Sequence, residues 1–460
     1  MHQPYRNIPS PPGSALMAQT REWLHPERAP HLLDKYAVEI GPLVRFRVGP
    51  LHMLLVNDPA LIDEVVRSEA FNTKGRFYGM VRLVLDNIVS ANGEHWARRR
   101  KLYISALRGI DVFGATDRAC DQLEQRWSGR RERGADLEPA IWRLCSDMCM
   151  WMAVGESPPE SFYADAAVLQ GELGGLAPDL AFRPLAVVSP LRWRTLRGVR
   201  ARLVAYFEER LDRRLAAPEP REAGRDLLDG LIGAVDDPHA PEDRAAIVAG
   251  LMDFFFTSDD VAACALRWAV WLVARHQDVQ RELREELRRV IAPGEPVGRA
   301  QLAQLPGLAR VARECLRLYP GYGLFGRVTT APTPLGGYLI PGGVEVLMSP
   351  YVLHRSEAHW EQPDRFLPSR WEGVGTHAPG IDPDRPAYMP FGHGHRSCLA
   401  RHLGWTMVGV GLARIFSRFT LRAQAGHLPK EEFWGTLHSA NGLPVRVSDA
   451  ATPLLLAASA

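Results

Sequence analysis

The feature that most constrains this chain is a single cysteine, Cys398, in a short loop rich in glycine and basic residues. The loop, residues 390–400, reads Pro-Phe-Gly-His-Gly-His-Arg-Ser-Cys-Leu-Ala and precedes a helix predicted over residues 400–416. Its glycines permit positive φ angles and let the backbone approach a large flat partner closely. The N-terminus of the following helix stabilises negative charge on the sulfur. A thiolate presented in this way suits axial ligation of haem iron.

Two other interpretations of this loop are open. It could be a chance glycine-rich loop that carries a buried structural cysteine. A zinc site formed by His393, His395 and Cys398 is the weaker alternative. Zinc sites use separated pairs of ligands, and no second pair of cysteines or histidines occurs at a suitable spacing.

Composition narrows the class of protein. The chain has 460 residues, of which 46% are hydrophobic, and a formal net charge of +2. The length allows a large buried core, and the near-neutral charge gives no reason to expect nucleic-acid binding. Six cysteines in a chain of this length do not form a disulfide framework, which fits a reducing cytoplasm. No N-terminal apolar segment and no long apolar stretch is present, so we expect neither a signal peptide nor a membrane anchor.

Alternating apolar and polar residues predict two β-hairpins. Residues 43–48 and 52–56 flank a Gly-Pro turn. Residues 338–340 and 344–348 flank a Pro-Gly-Gly turn. Both pairs are predicted to lie in small sheets.

Most of the remaining sequence is predicted to be helical. Residues 199–215 and 277–290 are dense in Arg, Glu and Leu at helical spacing. We find no internal repeat and no flexible interdomain linker, so we predict one mainly α-helical domain over residues 1–460. The segments 1–13 and 450–460 are predicted to be loose tails.

The cysteine loop resembles the haem-binding loop of the cytochrome P450 family, which usually reads Phe-x-x-Gly-x-Arg-x-Cys-x-Gly. Phe391, Gly394, Arg396 and Cys398 match it, and Ala400 replaces the usual last glycine. The resemblance implies that Cys398 is the ligand of haem b. It also implies the family fold, a triangular and mainly α-helical prism with small β-sheets and the haem between a distal and a proximal helix.

A second motif lies about eighty residues before the loop, as in the family. Glu314 and Arg317 are three apart in a helix predicted over residues 308–319, so they share one face. Arg370 occupies the arginine of the family's Pro-x-Arg-aromatic stretch, with Ser369 in place of the usual acid. The resemblance implies a buried charge network of Glu314, Arg317 and Arg370 under the haem loop. The alternative is a solvated surface pair.

Further matches concern the haem propionates. Trp96 and Arg100 resemble the Trp-x-x-x-Arg helix of the family and lie on one helical face. Arg327 and Arg396 match two more arginines that the family uses for the propionates. A guanidinium suits a carboxylate because its planar fork can donate two hydrogen bonds.

Basic residues beside Trp96 invite a different interpretation. For Arg98, Arg99 and Lys101 we favour a solvated basic face. A weaker hypothesis is that they help an acidic redox partner to dock beside the cysteine loop.

Residues 253–276 contain no proline or glycine and are predicted to form much of one long helix. This segment resembles the family's distal helix, usually Ala/Gly-Gly-x-Asp/Glu-Thr-Thr, with Asp260 as the acid. Thr257 and Ser258 occupy the pair of small residues, and Val261 replaces the threonine whose hydroxyl supports proton delivery in the family. Valine cannot donate a hydrogen bond. Asp260 could still pass protons through water, with Ser258 or the substrate supplying the hydroxyl, or Val261 could be simple packing.

Three functions follow from the resemblance. The first is a bacterial monooxygenase that acts on a small, fairly apolar molecule in secondary metabolism and takes electrons from a separate ferredoxin and its reductase. The second keeps the haem but not the need for dioxygen: peroxide use, rearrangement, or nitrene or oxygen transfer from a pre-activated N–O or O–O substrate. The third is a non-catalytic partner protein of the family, although the cysteine and the Glu-x-x-Arg pair are intact.

Overall fold

The computed structural model describes residues 2–12, 20, 22–23, 25–76, 78–79, 82, 85, 87–128, 133–182, 189–217, 225–292, 294–380, 382, 384–433 and 435–449, with backbone alone at 133 and 173–182. The helices of this part are α1 (Ala29–Glu39), α2 (Pro59–Arg67), α3 (Gly93–Ala106), α4 (Val112–Trp127), α5 (Leu137–Val154), α6 (Glu160–Phe182), α7 (Pro190–Ala216), α8 (Leu227–Ile232), α9 (Pro241–Arg275), α10 (Gln277–Val290), α11 (Arg299–Ala303), α12 (Pro306–Leu318), α13 (Pro350–Leu353) and α14 (Arg401–Arg418). The strands are β1 (Gln3–Pro4), β2 (Leu43–Val48), β3 (Leu51–Val56), β4 (Arg133–Asp136), β5 (Phe325–Val328), β6 (Thr333–Leu335), β7 (Tyr338–Ile340), β8 (Glu345–Met348), β9 (Phe419–Ala423), β10 (Glu431–Phe433), β11 (Leu437–Ser439) and β12 (Pro444–Asp449).

Local sequence explains where several helices begin and end. Asp58 accepts a hydrogen bond from the Leu61 amide at the start of α2, over 2.9 Å. Pro241 and Pro306 stand in the first turns of α9 and α12, where a missing N–H removes no helical bond. Gly155 ends α5 with a φ of 73°.

Helix α9 is the central element of the fold. It has 35 residues, and its side chains are almost all buried from Ile247 to Ala274. A helix of this length spans about 50 Å. It packs against α5 and α14, so both the predicted distal helix and the helix after Cys398 belong to one core. The helices predicted over residues 253–276, 277–290, 308–319 and 400–416 are confirmed, with small shifts at some ends.

The strands form small sheets at the periphery, and one predicted hairpin is wrong. Strands β2 and β3 pair antiparallel, as expected. In contrast, β7 pairs with β6, whereas β8 pairs with β3 and β5 in a different sheet. The intervening Pro-Gly-Gly turn crosses between sheets because Gly343 and Val344 donate their amide protons to Thr329, over 2.7 and 3.0 Å.

The N-terminal segment is more ordered than expected. Strand β1 pairs in parallel with β7, and Ile8 is buried in the smaller of the two hydrophobic clusters. The loose tail predicted over residues 1–13 is therefore wrong for residues 3–8, because an apolar side chain anchors the segment. The tail predicted over residues 450–460 lies outside the described residues, and the single-domain prediction for residues 1–460 stays a prediction.

Candidate active site

Cys398 ends a loop whose shape depends on glycine. Gly392 and Gly394 have φ angles of 67° and 70°, in the left-handed region. A Cβ atom on Gly394 would lie 2.5 Å from the carbonyl oxygen of Val66, so no side chain fits there. The Cys398 amide donates to the carbonyl oxygen of Phe391 over 2.9 Å. Backbone contacts thus fix the direction in which the thiol is presented.

The thiol faces a cavity of about 1600 Å³, which is lined by the cysteine loop and by α9. Five of the six cysteines are buried in the protein, whereas Cys398 is exposed to this cavity. A buried structural cysteine is therefore not what the loop carries. Desolvation by the surrounding protein raises the pKa of the Cys398 thiol, while a hydrogen bond from the backbone of Ala400 and the charges of Arg401 and Arg100 oppose the increase.

The histidines of the loop do not join Cys398 in a metal site. His393 Nε2 lies 2.5 Å from the carboxylate of Asp63, and His395 Nε2 lies 3.3 Å from the carbonyl oxygen of Arg67. Both partners belong to α2. Within the described ranges, no group of three or more potential metal-ligating side chains is found. The structure therefore does not support the zinc interpretation.

The cavity lining includes four buried or half-buried basic side chains that, among the described residues, form no ion pair with a carboxylate: Lys74, Arg100, Arg327 and Arg396. Lys74 and Arg327 are only 9% and 5% exposed. Burial and the charges of Arg327 and Arg396 hold the pKa of Lys74 well below its usual range. Buried cations without counter-ions are costly, so this arrangement fits a bound group that carries carboxylates.

Trp96 organises two of these cations. The guanidinium carbons of Arg396 and Arg100 lie 4.4 and 5.5 Å from the centre of the Trp96 ring. Arg100 also donates to the carbonyl oxygen of Ser397 over 3.2 Å, and Arg396 donates to the side chain of Asn92. The structure thus brings the predicted residues of α3 and of the cysteine loop together. Lys74 was missed, because no motif marks a single lysine in an irregular segment.

The basic face beside Trp96 is only partly solvated. Arg98 and Lys101 are exposed. The Arg99 side chain is 15% exposed, and its Nη1 lies 3.1 Å from the buried carboxylate of Asp253 on α9. The expected solvated face is therefore wrong for Arg99, because a carboxylate buried in the neighbouring helix attracts its guanidinium.

Glu314, Arg317 and Arg370 meet as the sequence predicted, in what we call the Glu314 network. Glu314 and Arg317 are fully buried, and both bonds between the carboxylate and the guanidinium measure 2.9 Å. Glu314 also accepts from Trp371 Nε1 over 2.9 Å and from the Leu367 amide over 3.0 Å. Arg370 Nε lies 3.4 Å from the same carboxylate. The surface-pair alternative does not fit these contacts.

This network reaches the cysteine loop through a histidine. Arg317 donates to the carbonyl oxygens of His354 and Pro363 over 2.7 and 2.6 Å. His354 Nε2 accepts from the amide of Met389, just before the loop, over 2.9 Å. Burial lowers the pKa of His354 to about 3, so its ring is neutral near pH 7. A chain of fixed contacts thus joins α12 to the segment that carries the thiol.

Helix α9 presents two hydroxyl groups and one apolar side chain to the cavity at three neighbouring positions. Thr257, Ser258 and Val261 all line the cavity. The Thr257 hydroxyl donates to the carbonyl oxygen of Asp253 over 2.6 Å, within its own helix. Among the described residues, the Ser258 hydroxyl has no hydrogen-bond partner. Ser258 is therefore the hydroxyl of this helix that remains available to a molecule in the cavity.

Asp260 is held in a group of side chains that we call the distal cluster: Glu138, Asp260, Arg267, Thr436 and His438. Arg267 Nη2 lies 3.0 Å from Asp260, and its Nη1 contacts Glu138. His438 bridges the same two carboxylates, with Nε2 3.2 Å from Asp260 and Nδ1 3.5 Å from Glu138. The Thr436 hydroxyl donates to Asp260. All five side chains line the cavity.

The distal cluster shifts the protonation of its members in opposite directions. Burial alone would raise the pKa of Asp260, but the charges of His438 and Arg267 hold it well below its usual range. Burial alone would lower the pKa of His438, yet Asp260 and Glu138 raise it to about 9. Near pH 7 the carboxyl is therefore ionised and the imidazole is positively charged.

The neighbouring acid, Asp259, behaves differently. It is fully buried, and burial together with the charge of Asp260 raises its pKa to about 8. Gln170 Nε2 donates to one of its oxygens over 2.8 Å. Asp259 is thus neutral near pH 7 beside an ionised Asp260.

The helical core, the cavity, its unpaired basic side chains and the cysteine that faces it fit a protein that holds an anionic cofactor beside a cysteine. The family model for cytochrome P450 matches residues 9–443, and the chain belongs to this family. It is 28% identical to cyclooctatin synthase of Streptomyces melanosporofaciens, over 84% of each chain. It is 26% identical to protein LUTEIN DEFICIENT 5, chloroplastic, of Arabidopsis thaliana, over 98% of this chain and 78% of that protein. Steroid 21-hydroxylase of Canis lupus is 27% identical, over 88% of this chain and 85% of the relative.

Membership of the family fixes the fold, the class of enzyme and the cofactor. The fold is that of a cytochrome P450, the protein is a P450-type oxidoreductase, and its cofactor is haem b bound through a cysteine thiolate. Such enzymes act on small molecules and use redox partners. Among the described helices, none combines the length and the apolar character needed to cross a bilayer.

Proposed function

We propose that this protein is a monooxygenase in which Cys398 ligates the haem iron. The observation that carries the proposal is the position of this thiol: it is the cysteine that faces a cavity bordered by basic side chains without carboxylate partners. The overall reaction inserts one oxygen atom of dioxygen into the substrate and reduces the other to water, which consumes two electrons and two protons. Haem with a thiolate ligand supplies the oxygen-activating chemistry, because the thiolate donates electron density that favours O–O cleavage.

The chain's own residues hold the cofactor in this proposal. Arg100, Arg327 and Arg396 bind the propionates, with Lys74 as a fourth cation and Trp96 fixing two of the guanidinium groups. Phe391 and Gly394 shape the loop that presents the thiol. The Glu314 network keeps this loop in place through His354 and Met389.

The substrate is a small and fairly apolar molecule. The cavity lining includes four apolar side chains of α9, which favour apolar contact: Phe254, Phe256, Ala262 and Ala265. The likeness to a Streptomyces relative named cyclooctatin synthase supports a role in bacterial secondary metabolism. We place the protein in the cytoplasm, with electrons supplied by a separate ferredoxin and ferredoxin reductase.

Proton supply on the distal side rests on Asp260, with Ser258 as the replacement for the hydroxyl that Val261 lacks. Ser258 lies one turn before Val261 on the same face of α9, and its hydroxyl lacks a protein partner among the described residues. Thr257 is the weaker helper because its hydroxyl bonds the helix backbone. Asp260 contacts the cavity and passes protons to water within it.

A second candidate function is favoured by Val261 itself. Without the usual hydroxyl, the site suits a substrate that brings its own activated N–O or O–O bond, or peroxide in place of dioxygen. Product formation under strict anaerobiosis, without a reductant, would support this candidate. It would exclude the monooxygenase.

The experiment that tests the haem-thiolate assignment is spectroscopic. The reduced carbonyl adduct of the wild type is expected to show the red-displaced Soret band of thiolate ligation. Cys398→Ala should lose that band, while Cys315→Ala, which removes a buried thiol from α12, should keep it. A wild-type protein without haem, or a Cys398→Ala variant that retains the band, would overturn the assignment.

A further inference from the structure

The distal cluster raises the question of where a proton is stored. Asp260 accepts hydrogen bonds from Arg267, His438 and Thr436. Each of these bonds favours the ionised carboxylate, so Asp260 does not hold a proton between turnovers. It can pass a proton on quickly, but another group must supply it.

His438 is the titratable donor in contact with Asp260. Among the described residues, the charged groups that face its ring are Glu138 on α5 and Asp260 and Arg267 on α9. Arg267 keeps its proton at all ordinary pH values, because a guanidinium is not deprotonated in proteins. With His438 protonated, two carboxylates balance two cations in this group. The surroundings thus keep a proton on His438 that the imidazole can still release.

We propose that His438 is the proton store of the distal side and that Asp260 is the conduit through which its proton reaches the cavity. This inference rests on the proposed function and deepens it. The Nε2–H bond of His438 breaks, the proton passes to an oxygen of Asp260, and Asp260 releases it to a water molecule in the cavity. No electrons are transferred, and the neutral imidazole regains a proton from water that reaches the exposed 25% of its side chain.

Glu138 and Arg267 are positioning residues in this scheme. Glu138 holds the opposite nitrogen of the imidazole and accepts the amide proton of Ser439 over 2.8 Å, which fixes strand β11 beside α5. Arg267 joins Glu138 to Asp260. The three elements that carry the cluster are thereby kept in register.

The first test measures protonation rather than activity. In holoprotein labelled with ¹⁵N-histidine, studied as the reduced carbonyl form, the signal that disappears in His438→Gln should titrate near pH 9 in the wild type. It should titrate at lower pH in Asp260→Asn, because one carboxylate is lost. His427→Gln is the matched control, since His427 bonds the backbone carbonyl of Gly442 and, among the described residues, no member of the cluster. Titration of His438 near its ordinary value of 6.5 would overturn the proposal.

The second test follows proton use without needing the substrate. With a surrogate ferredoxin and its reductase, dioxygen is reduced to hydrogen peroxide or to water, and poor proton supply favours peroxide. We expect the ratio of peroxide to water to rise by roughly tenfold in His438→Gln and Asp260→Asn, less than the ~10²–10⁴-fold of a general acid because cavity water also donates. His427→Gln should match the wild type.

The outcomes separate this inference from the proposed function. A rise in Asp260→Asn without a rise in His438→Gln would overturn the role of His438 while leaving the relay through Asp260. Absence of the thiolate spectrum in the wild type, in contrast, would overturn the proposed function itself.

Discussion

The Glu314 network and the distal cluster both pair carboxylates with arginine, but the histidine bonded to the first and the histidine within the second are in opposite protonation states. His354 donates to and accepts from backbone groups, and burial lowers its pKa to about 3. His438 lies between two carboxylates, which raise its pKa to about 9 against the effect of burial. His354 is therefore a neutral hydrogen-bonding link, whereas His438 carries a proton that it can release.

The difference lies in what fills the remaining hydrogen-bonding positions. In the Glu314 network, backbone carbonyls accept the hydrogen bonds of Arg317 that Glu314 does not, and the pair is closed to solvent. In the distal cluster, side chains supply nearly all of the contacts, and all of them border the cavity. A charge network thus stabilises the structure when backbone groups make its remaining contacts and exclude water. It is available for proton transfer when its side chains border a cavity.

The largest effect on stability is expected from removing the carboxylate charge of the Glu314 network. Glu314→Gln leaves the buried Arg317 without a counter-ion, which typically costs ~3–5 kcal/mol of unfolding free energy. Equilibrium unfolding in denaturant measures the loss. The matched control is Glu39→Gln, which removes a pair with Lys35 whose side chains are both about 60% exposed and should cost less than ~1 kcal/mol. Equal losses in the two variants would remove the distinction.

The two histidines should give stability opposite dependences on pH. Because its folded-state pKa of about 9 lies above the ordinary 6.5, His438 contributes stability that is full below about pH 6.5 and is lost as pH rises through about 9. The shift corresponds to roughly 3 kcal/mol at most. The lowered pKa of His354 works in the other direction, since its contribution is lost as pH falls from about 6.5 towards 3. The free energies of unfolding of the wild type and of His438→Gln should therefore converge above about pH 9. A difference between them that does not change with pH would contradict the assignment.

A smaller effect is expected from exchanging the two adjacent acids for amides. Asp260→Asn removes an ionised carboxylate and should weaken proton supply as described above. Asp259→Asn replaces an acid that is neutral near pH 7 with an amide of the same shape, and the bond from Gln170 survives. Its stability and its yield of peroxide should stay close to those of the wild type. A large increase in peroxide from Asp259→Asn would show that the wrong acid has been assigned to the cavity.

The smallest effect is expected at Val261. Val261→Thr restores a hydroxyl of nearly the same volume, and one hydrogen bond is worth ~0.5–1.5 kcal/mol, or about two- to tenfold in rate. If the reaction uses dioxygen, the yield of peroxide per electron pair should fall by a factor in that range. Ser258→Ala should raise it. An unchanged yield in Val261→Thr would count against the role given to this position.

The sequence predicted the Glu314 network better than the distal cluster. Glu314 and Arg317 lie one helical turn apart, so spacing alone places them on one face. Glu138 and His438 come from α5 and β11, far from Asp260 along the chain, and only tertiary packing brings them to α9. Lys74 was missed because it belongs to no motif. The wrong hairpin has a different cause, because a Pro-Gly-Gly turn suits both a hairpin and a crossing between sheets.

The unpaired cations of the cavity have a consequence for the life of the protein in a cell. Lys74, Arg327 and Arg396 repel one another in a poorly hydrated space, so binding of the cofactor's carboxylates should stabilise the folded protein. Protein synthesised during iron starvation should therefore be degraded faster by cellular proteases. We expect the abundance of this protein to follow porphyrin supply more closely than it follows transcription.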